Sequence, residues 1–208
     1  MRDYKRTDPE FIERFEHFAF DEVVNEEGQQ LDDVTRHMAI TATLLGCQGI
    51  DEFPLEVPRA LDAGLTPVML KEVIYQAVDY LGIGRVRPFL DAANDILTAR
   101  GVDLPLEGQA TTTMEDRLEK GVQVQADNCF GDYYTRTGLD LKQREMITFC
   151  FLAAQGGCEP QLTAHAKGNM NLGNDKDFLI KVVSQCLPYI GYPRSLNAEA
   201  CINKAAEQ

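Results

Sequence analysis

An internal repeat constrains the fold of this 208-residue chain more than any other feature of its sequence. When the sequence is displaced by 109 residues, identical residues coincide at a series of positions. The displacement places Gly64, Leu70, Val73, Gln76, Tyr80, Gly82, Arg85 and Asn94 on Gly173, Leu179, Val182, Gln185, Tyr189, Gly191, Arg194 and Asn203. Duplication of one structural unit is the simplest explanation. We place the first unit at residues 1–107 and the second at 108–208, with the linker in the segment GVDLPLEGQATTT.

Each unit is predicted to contain the same succession of helices. In the first unit the expected helices cover residues 32–46, Pro54–Ala63, Pro67–Leu81 and Val86 to about Arg100. A further amphipathic helix is expected before each set, from Pro9 to about Asn25 and from Met114 to about Tyr133. N-cap residues and prolines mark the helix starts, and glycines follow the helix ends. Because the alternating β-branched runs of strands are rare, the predicted fold class is all-α.

The composition limits the possible partners and compartment. A formal charge of −13 and a pI near 4.6 argue against nucleic-acid binding, which depends on clustered Lys and Arg. The N-terminal sequence lacks the apolar core of a signal peptide, and no apolar stretch approaches the roughly 18 residues of a membrane span. We therefore expect a cytoplasmic protein with no membrane partner. The six Cys are scattered without a CxxC motif and support neither a disulfide framework nor a metal site.

His165 is the strongest candidate for chemistry among the three histidines. It ends the segment CEPQLTAH, in which Cys158, Gln161 and His165 are spaced three and four residues apart and are predicted to share one helical face. Histidine exchanges protons near neutral pH, and a neighbouring amide and thiol suit acid/base chemistry. The alternative is a hydrogen-bonded histidine that holds the helix in place. His17 and His37 lie in helical stretches without a polar cluster nearby in sequence, which favours surface or core roles.

The second unit carries a larger set of residues that occurs together in one known family. In chain order these are Glu145, His165, Gly173, Asp175 and the turn Tyr189-Ile-Gly191-Tyr-Pro193. With them, residues 139–206 resemble the core of the carboxymuconolactone decarboxylase family, in the alkylhydroperoxidase D-like superfamily, and residues 31–100 resemble it more loosely. The resemblance implies a duplicated helical bundle that replaces a dimer of single units. It also implies a homo-oligomer, which we expect to be a trimer of two-unit chains.

The family contains two chemistries, and this chain departs from one of them. In the peroxidase branch a CxxC pair precedes the histidine, and Cys158 and His165 stand at the positions of the first Cys and the His. Gln161 replaces the second Cys, so no second thiol in the motif can resolve a sulfenic acid. The decarboxylase branch is therefore favoured, in which a His with polar neighbours acts on a small carboxylated lactone or related carbonyl compound. That reaction implies neither a metal nor an organic cofactor.

The resemblance and the residues together give each candidate a predicted role. His165 is the predicted proton source. In the peroxidase branch a Glu on the preceding helix joins the proton relay, which makes Glu145 a candidate for that role, although it lies thirteen residues before Cys158, one more than is usual in that branch. Arg194 follows the turn and is the predicted cation for a substrate carboxylate, with a surface ion pair as the alternative. Gln161 hydrogen-bonds a substrate oxygen or caps a neighbouring group. Tyr189 is a candidate substrate contact, with packing at a helix end as the alternative.

Two further interpretations stay open at this point. Cys158 alone could serve a one-Cys, thiol-dependent peroxidase, because a helix N-terminus lowers a thiol pKa and an external thiol could resolve the oxidised product. The other interpretation is a non-catalytic oligomeric scaffold, because the first unit is expected to have a degenerate site. Its residues Gly49, Glu52 and Glu56 stand where the second unit has Cys158, Gln161 and His165.

Overall fold

The computed structural model describes residues 4–109 and 128–207 of the chain. These residues form eleven α-helices and no strand, which confirms the all-α prediction. The first unit contains α1 (Tyr4–Thr7), α2 (Pro9–His17), α3 (Val23–Asn25), α4 (Asp33–Gly46), α5 (Phe53–Asp62), α6 (Pro67–Leu81) and α7 (Ile83–Ala99). The second unit contains α8 (Leu141–Gln155), α9 (Glu159–Asn171), α10 (Lys176–Ile190) and α11 (Tyr192–Ala206).

The bounds of the long helices follow the capping signals in the sequence. α6 has the predicted bounds and begins after Thr66, whose side chain caps the helix by accepting a backbone hydrogen bond. α7 begins at Ile83, three residues before the predicted start, because Gly82 ends one helix and begins the next. The φ of Gly82 is 79°, a conformation that favours glycine and turns the chain without an intervening loop.

The helices that precede each set are less regular than expected. The predicted helix from Pro9 to about Asn25 is helical throughout, but a π-helical turn at Phe18–Glu22 replaces α-helix between α2 and α3. The predicted helix from Met114 to about Tyr133 lies outside the described residues up to residue 127. Its end forms another π-helical turn, Asn128–Tyr133.

The two units pack against each other reciprocally. α4 and α8, the first long helix of each unit's set, share the most extensive contact between helices. α6 of the first unit packs on α8, and α10 of the second unit packs on α4. The third helix of each set therefore reaches across to the other unit. A single core runs through this contact and includes the buried side chains of Ile40, Leu45, Ile147 and Phe149.

Gly46 allows α4 and α8 to approach each other closely. A Cβ atom at this position would lie 2.6 Å from the backbone oxygen of Phe151 and 2.8 Å from the Cβ of Ala154. We therefore expect Gly46→Ala to lower the free energy of unfolding by about 1–3 kcal/mol, because backbone has to move to make room. Urea denaturation measures the change. Gly84→Ala, on α7 with open space around it, is the matched control and should not destabilise; equal stability of both variants would contradict the close contact.

Two buried arginines, one in each unit, each donate a hydrogen bond to a glutamine of the other unit. Arg36 of α4 donates to Oε1 of Gln185 on α10 at 2.9 Å. Arg144 of α8 donates to Oε1 of Gln76 on α6, also at 2.9 Å. Arg144 is fully buried and forms an ion pair with Glu72, with Nη2 and Oε2 3.1 Å apart. The same type of side-chain pair thus joins the two units on both sides of their contact.

Candidate active site

His165 and Glu145 form a hydrogen-bonded pair between α8 and α9. Nδ1 of His165 lies 2.8 Å from Oε2 of Glu145. The histidine side chain is 21% exposed and the glutamate side chain 11%. α8 begins with a capping box formed by Asp140 and Gln143 and places Glu145 on its second turn, while His165 lies in the middle of α9. The structure thus brings together the predicted proton source and its predicted relay partner.

Tyr134 completes the hydrogen bonding of the Glu145 carboxylate. Its hydroxyl donates to Oε1 of Glu145 at 2.8 Å and lies 3.1 Å from Oγ1 of Thr148. Burial, together with the negative charge of Glu145, raises the pKa of Tyr134 well above its ordinary value, so the phenol keeps its proton and donates. Each oxygen of the carboxylate therefore has its own partner, an imidazole on one and a phenol on the other.

The first unit supplies a second tyrosine to this site. Tyr80, in the last turn of α6, packs against His165 in a T-shaped arrangement with ring centroids 5.6 Å apart. Its hydroxyl lies 3.2 Å from the hydroxyl of Tyr134. Because α6 packs on α8, a residue of one unit lines the site of the other.

Asn169 ties together the two helices that carry the pair. Its buried amide donates to the backbone carbonyl of Glu145 at 2.9 Å and to that of His165 at 2.8 Å. Its Oδ1 accepts from the amide of Asn174 at 2.8 Å. Gly168, the preceding residue, leaves room for the carboxylate, since a Cβ atom there would lie 2.9 Å from Oε2 of Glu145. These contacts hold the imidazole and the carboxylate in one relative position.

The bond to Glu145 determines which nitrogen of His165 can react. A carboxylate accepts, so Nδ1 carries the hydrogen in the neutral imidazole and Nε2 carries the lone pair. No residue in the described ranges bonds to Nε2, which leaves this nitrogen to exchange a proton with a bound molecule. The buried carboxylate stabilises the imidazolium once Nε2 has taken that proton. The pair can therefore act as a general base and then as a general acid.

Cys158 differs from its predicted place beside the histidine. It is the N-cap residue before α9, with φ −140° and ψ 39°, so the helical spacing that would align it with Gln161 and His165 does not apply to it. Its thiol lies 3.4 Å from the carbonyl oxygen of Leu152 and 3.8 Å from the amide nitrogen of Gln155. Partial burial raises the pKa of Cys158, whereas a helix N-terminus was expected to lower it.

The three remaining candidates have other surroundings. Gln161 lies on the exposed side of α9. Arg194 packs over the turn at Gly156, where its guanidinium carbon lies 3.4 Å from the position of a Cβ atom on that glycine. Tyr189 packs against Phe15 in a T-shaped arrangement, with ring centroids 6.1 Å apart. None of these contacts involves His165.

Three residues of the site escape the sequence analysis, namely Tyr80, Tyr134 and Asn169. Tyr80 is the repeat partner of Tyr189. It could be assigned to this site only if the packing of α6 on α8 were already known. Asn169 lies four residues after His165 on the same face of α9, so helical spacing could have identified it. Tyr134 follows the π-helical turn at Asn128–Tyr133, where no regular period predicts the direction of a side chain.

The first unit contains a second pair of the same type. Nδ1 of His37 on α4 lies 2.6 Å from Oε1 of Glu56 on α5. Glu56 aligns with His165, and His37 aligns with Glu145 to within one residue, so the two residue types have exchanged helices. His37 is buried, as a core role requires. Its acidic partner comes from another helix, which the pattern along α4 alone cannot reveal.

The described part of the chain offers neither a membrane-spanning helix nor a cluster of metal ligands. Over residues 4–109 and 128–207, no helix has both the length and the apolarity needed to cross a membrane. Within the same ranges, no group of three or more His, Cys, Asp or Glu side chains is arranged to hold a metal ion.

Comparisons with known proteins bear on both units. Among curated proteins no match is found. Residues 9–95 and 123–204 each match the carboxymuconolactone decarboxylase family. The two matched stretches fall on the two repeated units and together span most of the chain. This chain therefore belongs to the carboxymuconolactone decarboxylase family, as a member with two repeats.

Proposed function

We propose that this protein is a carboxy-lyase that acts on a small carboxylated lactone, or a related carbonyl compound, by acid/base chemistry at His165. The observation that carries the proposal is the hydrogen bond between Nδ1 of His165 and Oε2 of Glu145 at 2.8 Å. This bond leaves Nε2 of a partly exposed imidazole for the substrate. Membership of the decarboxylase family supports the same class of reaction.

The proposed step balances with one proton and one electron pair. The bond between a substrate carbon and its carboxyl group breaks, and carbon dioxide leaves without the bonding electrons. Those electrons delocalise into the neighbouring carbonyl group as an enolate, and the Nε2–H of the imidazolium delivers a proton to the carbon. His165 then takes a proton from solvent, which restores the imidazolium. No electrons pass to or from an external donor.

The neighbours of His165 stabilise its protonated form and hold the imidazole in position. The Glu145 carboxylate stabilises the imidazolium before the proton is delivered. Tyr134 holds that carboxylate in position by donating to its other oxygen. Tyr80 covers one side of the imidazole and so limits the directions from which a substrate can approach Nε2.

The alternative function, a one-Cys peroxidase, depends on Cys158. The surroundings of this thiol disfavour that function. A peroxidatic cysteine reacts as the thiolate. Partial burial raises the pKa of Cys158, and the opposing effects of Gln155 and Arg194 do not reverse the shift. A non-catalytic scaffold would not require a partly exposed imidazole hydrogen-bonded to a mostly buried carboxylate, so the pair of His165 and Glu145 favours an enzyme.

The pH dependence of Cys158 alkylation separates the two enzyme readings. We expect the rate with iodoacetamide to rise only at a pH above that at which an ordinary thiol ionises, because the raised pKa of Cys158 leaves little thiolate at neutral pH. Peptide mapping by mass spectrometry measures the rate. Cys158→Ser should keep wild-type release of carbon dioxide from a panel of carboxylated lactones and β-keto acids. A midpoint below about 7, with sulfenic acid after peroxide treatment, would establish the one-Cys peroxidase instead.

We also propose that the chains form a homo-oligomer, with a trimer of two-unit chains as the expected form. Ile83 and Tyr192 stand at equivalent positions of the repeat and expose 50% and 67% of their surface. Association would bury large apolar side chains of this kind. Sedimentation equilibrium gives the mass in solution, and a monomer at all concentrations would contradict the proposal.

A further inference from the structure

The first unit holds a buried histidine–glutamate pair that the reaction proposed at His165 does not use. Nδ1 of His37 and Oε1 of Glu56 are 2.6 Å apart, a short distance for an N–H···O hydrogen bond to a carboxylate. The partners are separated by 19 residues in sequence, against 20 for His165 and Glu145. Packing alone does not require a histidine and a carboxylate at both places. In the first unit the histidine lies on the first helix of the set and the glutamate on the second, and in the second unit the order is reversed. The hydrogen bond between the two side chains is present in both units.

The exchange also keeps the same reactive nitrogen. Nδ1 of His37 donates to the Glu56 carboxylate, so the lone pair of the neutral imidazole lies on Nε2. Within the part of the chain that the structure describes, nothing bonds to this Nε2. The first unit thus presents the same acid/base group as the second, in a more buried setting.

Two buried polar atoms with no hydrogen-bond partner among the described residues concern this pair: one belongs to it, and the other is close enough to interact electrostatically with Glu56. They are Oε2 of Glu56 and the hydroxyl of Tyr189. Glu56 is only 1% exposed, and an unpaired polar atom in such a place is costly. Burial and the charge of Glu56 raise the pKa of Tyr189, so its phenol keeps the proton and can donate. A single ligand that accepts from the phenol and donates to the carboxylate would satisfy both atoms.

The N-terminal helices cover this side of the molecule. Phe15 of α2 packs against Tyr189, and the carbonyl oxygen of Ala19 accepts a hydrogen bond from Arg36 at 3.1 Å. Ala19 belongs to the π-helical turn between α2 and α3. Entry of a ligand therefore requires a local displacement of these short helices.

The groove that borders these helices indicates the charge of the ligand. Arg59, three residues after Glu56 on α5, forms one wall of this groove. The other charged residues along it are Glu10, Glu13, Arg14, Glu16 and Asp21. Four carboxylates against two guanidinium groups disfavour the approach of an anion, while an uncharged molecule is not repelled.

We propose that His37, Glu56 and Tyr189 form a second proton-exchange site, which takes a small uncharged molecule bearing a carbonyl group and an N–H or O–H donor. The donor of the ligand bonds to Oε2 of Glu56, and its carbonyl accepts from the Tyr189 hydroxyl. Nε2 of His37 exchanges a proton with the bound molecule. The second unit supplies Tyr189 to this site, as the first unit supplies Tyr80 to the other.

Bromoacetamide and bromoacetate form a matched pair of probes for this site. Both alkylate an unprotonated imidazole nitrogen with loss of bromide, and they differ in that one is an uncharged amide and the other a carboxylate. In the folded protein at neutral pH, we expect saturable alkylation of His37 by bromoacetamide and alkylation by bromoacetate that is about tenfold slower. Peptide mapping by mass spectrometry resolves the histidines. His17 lines the same groove, so N-acetylhistidine amide free in the same buffer, and not His17, reports the intrinsic reactivity of the two reagents.

Two variants distinguish a binding site from a structural contact. Tyr189→Phe removes only an unpaired hydroxyl, so it should slow the reaction of His37 with bromoacetamide about tenfold while leaving the urea midpoint unchanged or higher. Glu56→Gln should slow the same reaction, whereas Glu145→Gln in the other unit should leave it unchanged. Alkylation of His37 that follows global unfolding in urea, or that is insensitive to Tyr189→Phe, would overturn the proposal. These readouts involve no release of carbon dioxide, so they are independent of the reaction proposed at His165.

Discussion

Replacing His165 with alanine is expected to lower kcat for decarboxylation by roughly a hundredfold to ten-thousandfold, with a smaller change in KM. In the proposed reaction the imidazole delivers the proton in the transition state, whereas binding of the ground state depends on other contacts. Release of carbon dioxide at varied substrate concentration separates the two constants. Glu145→Gln keeps the imidazole but removes the charge that stabilises its protonated form, so we expect a smaller loss in the same constant.

A surface histidine provides the matched control for this experiment. Nδ1 of His17 lies 3.1 Å from a carboxylate oxygen of Asp21, so it is also a paired histidine, but it is mostly exposed. His17→Ala should retain wild-type kcat and KM. If His165→Ala kept more than half of the wild-type kcat, the assignment of the proton source would be wrong. Circular dichroism shows whether each variant keeps its helical content.

Arg144→Leu is expected to lower the free energy of unfolding by about 3–5 kcal/mol, the largest stability change that we predict. Glu72 has no exposed surface, and its carboxylate is compensated by Arg144 at 3.1 Å and by Arg136 at 3.0 Å. Removal of Arg144 leaves a buried carboxylate with one cation and leaves Gln76 without the donor to its Oε1. Urea denaturation followed by circular dichroism measures the loss.

The equivalent arginine of the first unit separates charge from packing. Arg36 bonds to the neutral side chain of Gln185 and to a backbone carbonyl. Arg36→Leu should therefore cost only about 1–3 kcal/mol, the range for an unsatisfied neutral partner. Adding Glu72→Gln to Arg144→Leu should recover part of the loss, because the unpaired charge is then removed. Equal costs for the two arginine variants, with no recovery, would contradict this explanation.

Local signals explain why the helices could be predicted from the sequence. Thr66, Pro67 and Gly82 mark the ends of α6 by capping and backbone geometry that depend on neighbouring residues alone. His165 and Glu145 could also be proposed as partners, since α8 and α9 are joined by the short turn around Gly156. Short connections bring successive helices together, and the family resemblance pointed to the same two residues.

The parts of the site that were not predicted depend on packing between distant segments. The tyrosine that approaches His165 is determined by the packing of α6 on α8 and of α10 on α4. Tyr80 of α6 therefore lies at His165, while Tyr189 of α10 packs against Phe15. The alignment of Glu56 with His165 suggests a degenerate first unit. Only tertiary contact shows that a histidine on α4 meets this glutamate.

The packing of α6 on α8 and of α10 on α4 makes the two halves of the chain interdependent. The His165 site takes Tyr80 from the first half, and Tyr189 reaches the first half from the second. If the halves were separate chains, each site would be complete only while the two chains were associated. Dilution would dissociate them and remove Tyr80 and Tyr189 from the sites that they complete. The covalent connection between the halves instead maintains a constant effective concentration of one half around the other. A single molecule can therefore keep both sets of side chains assembled at any protein concentration.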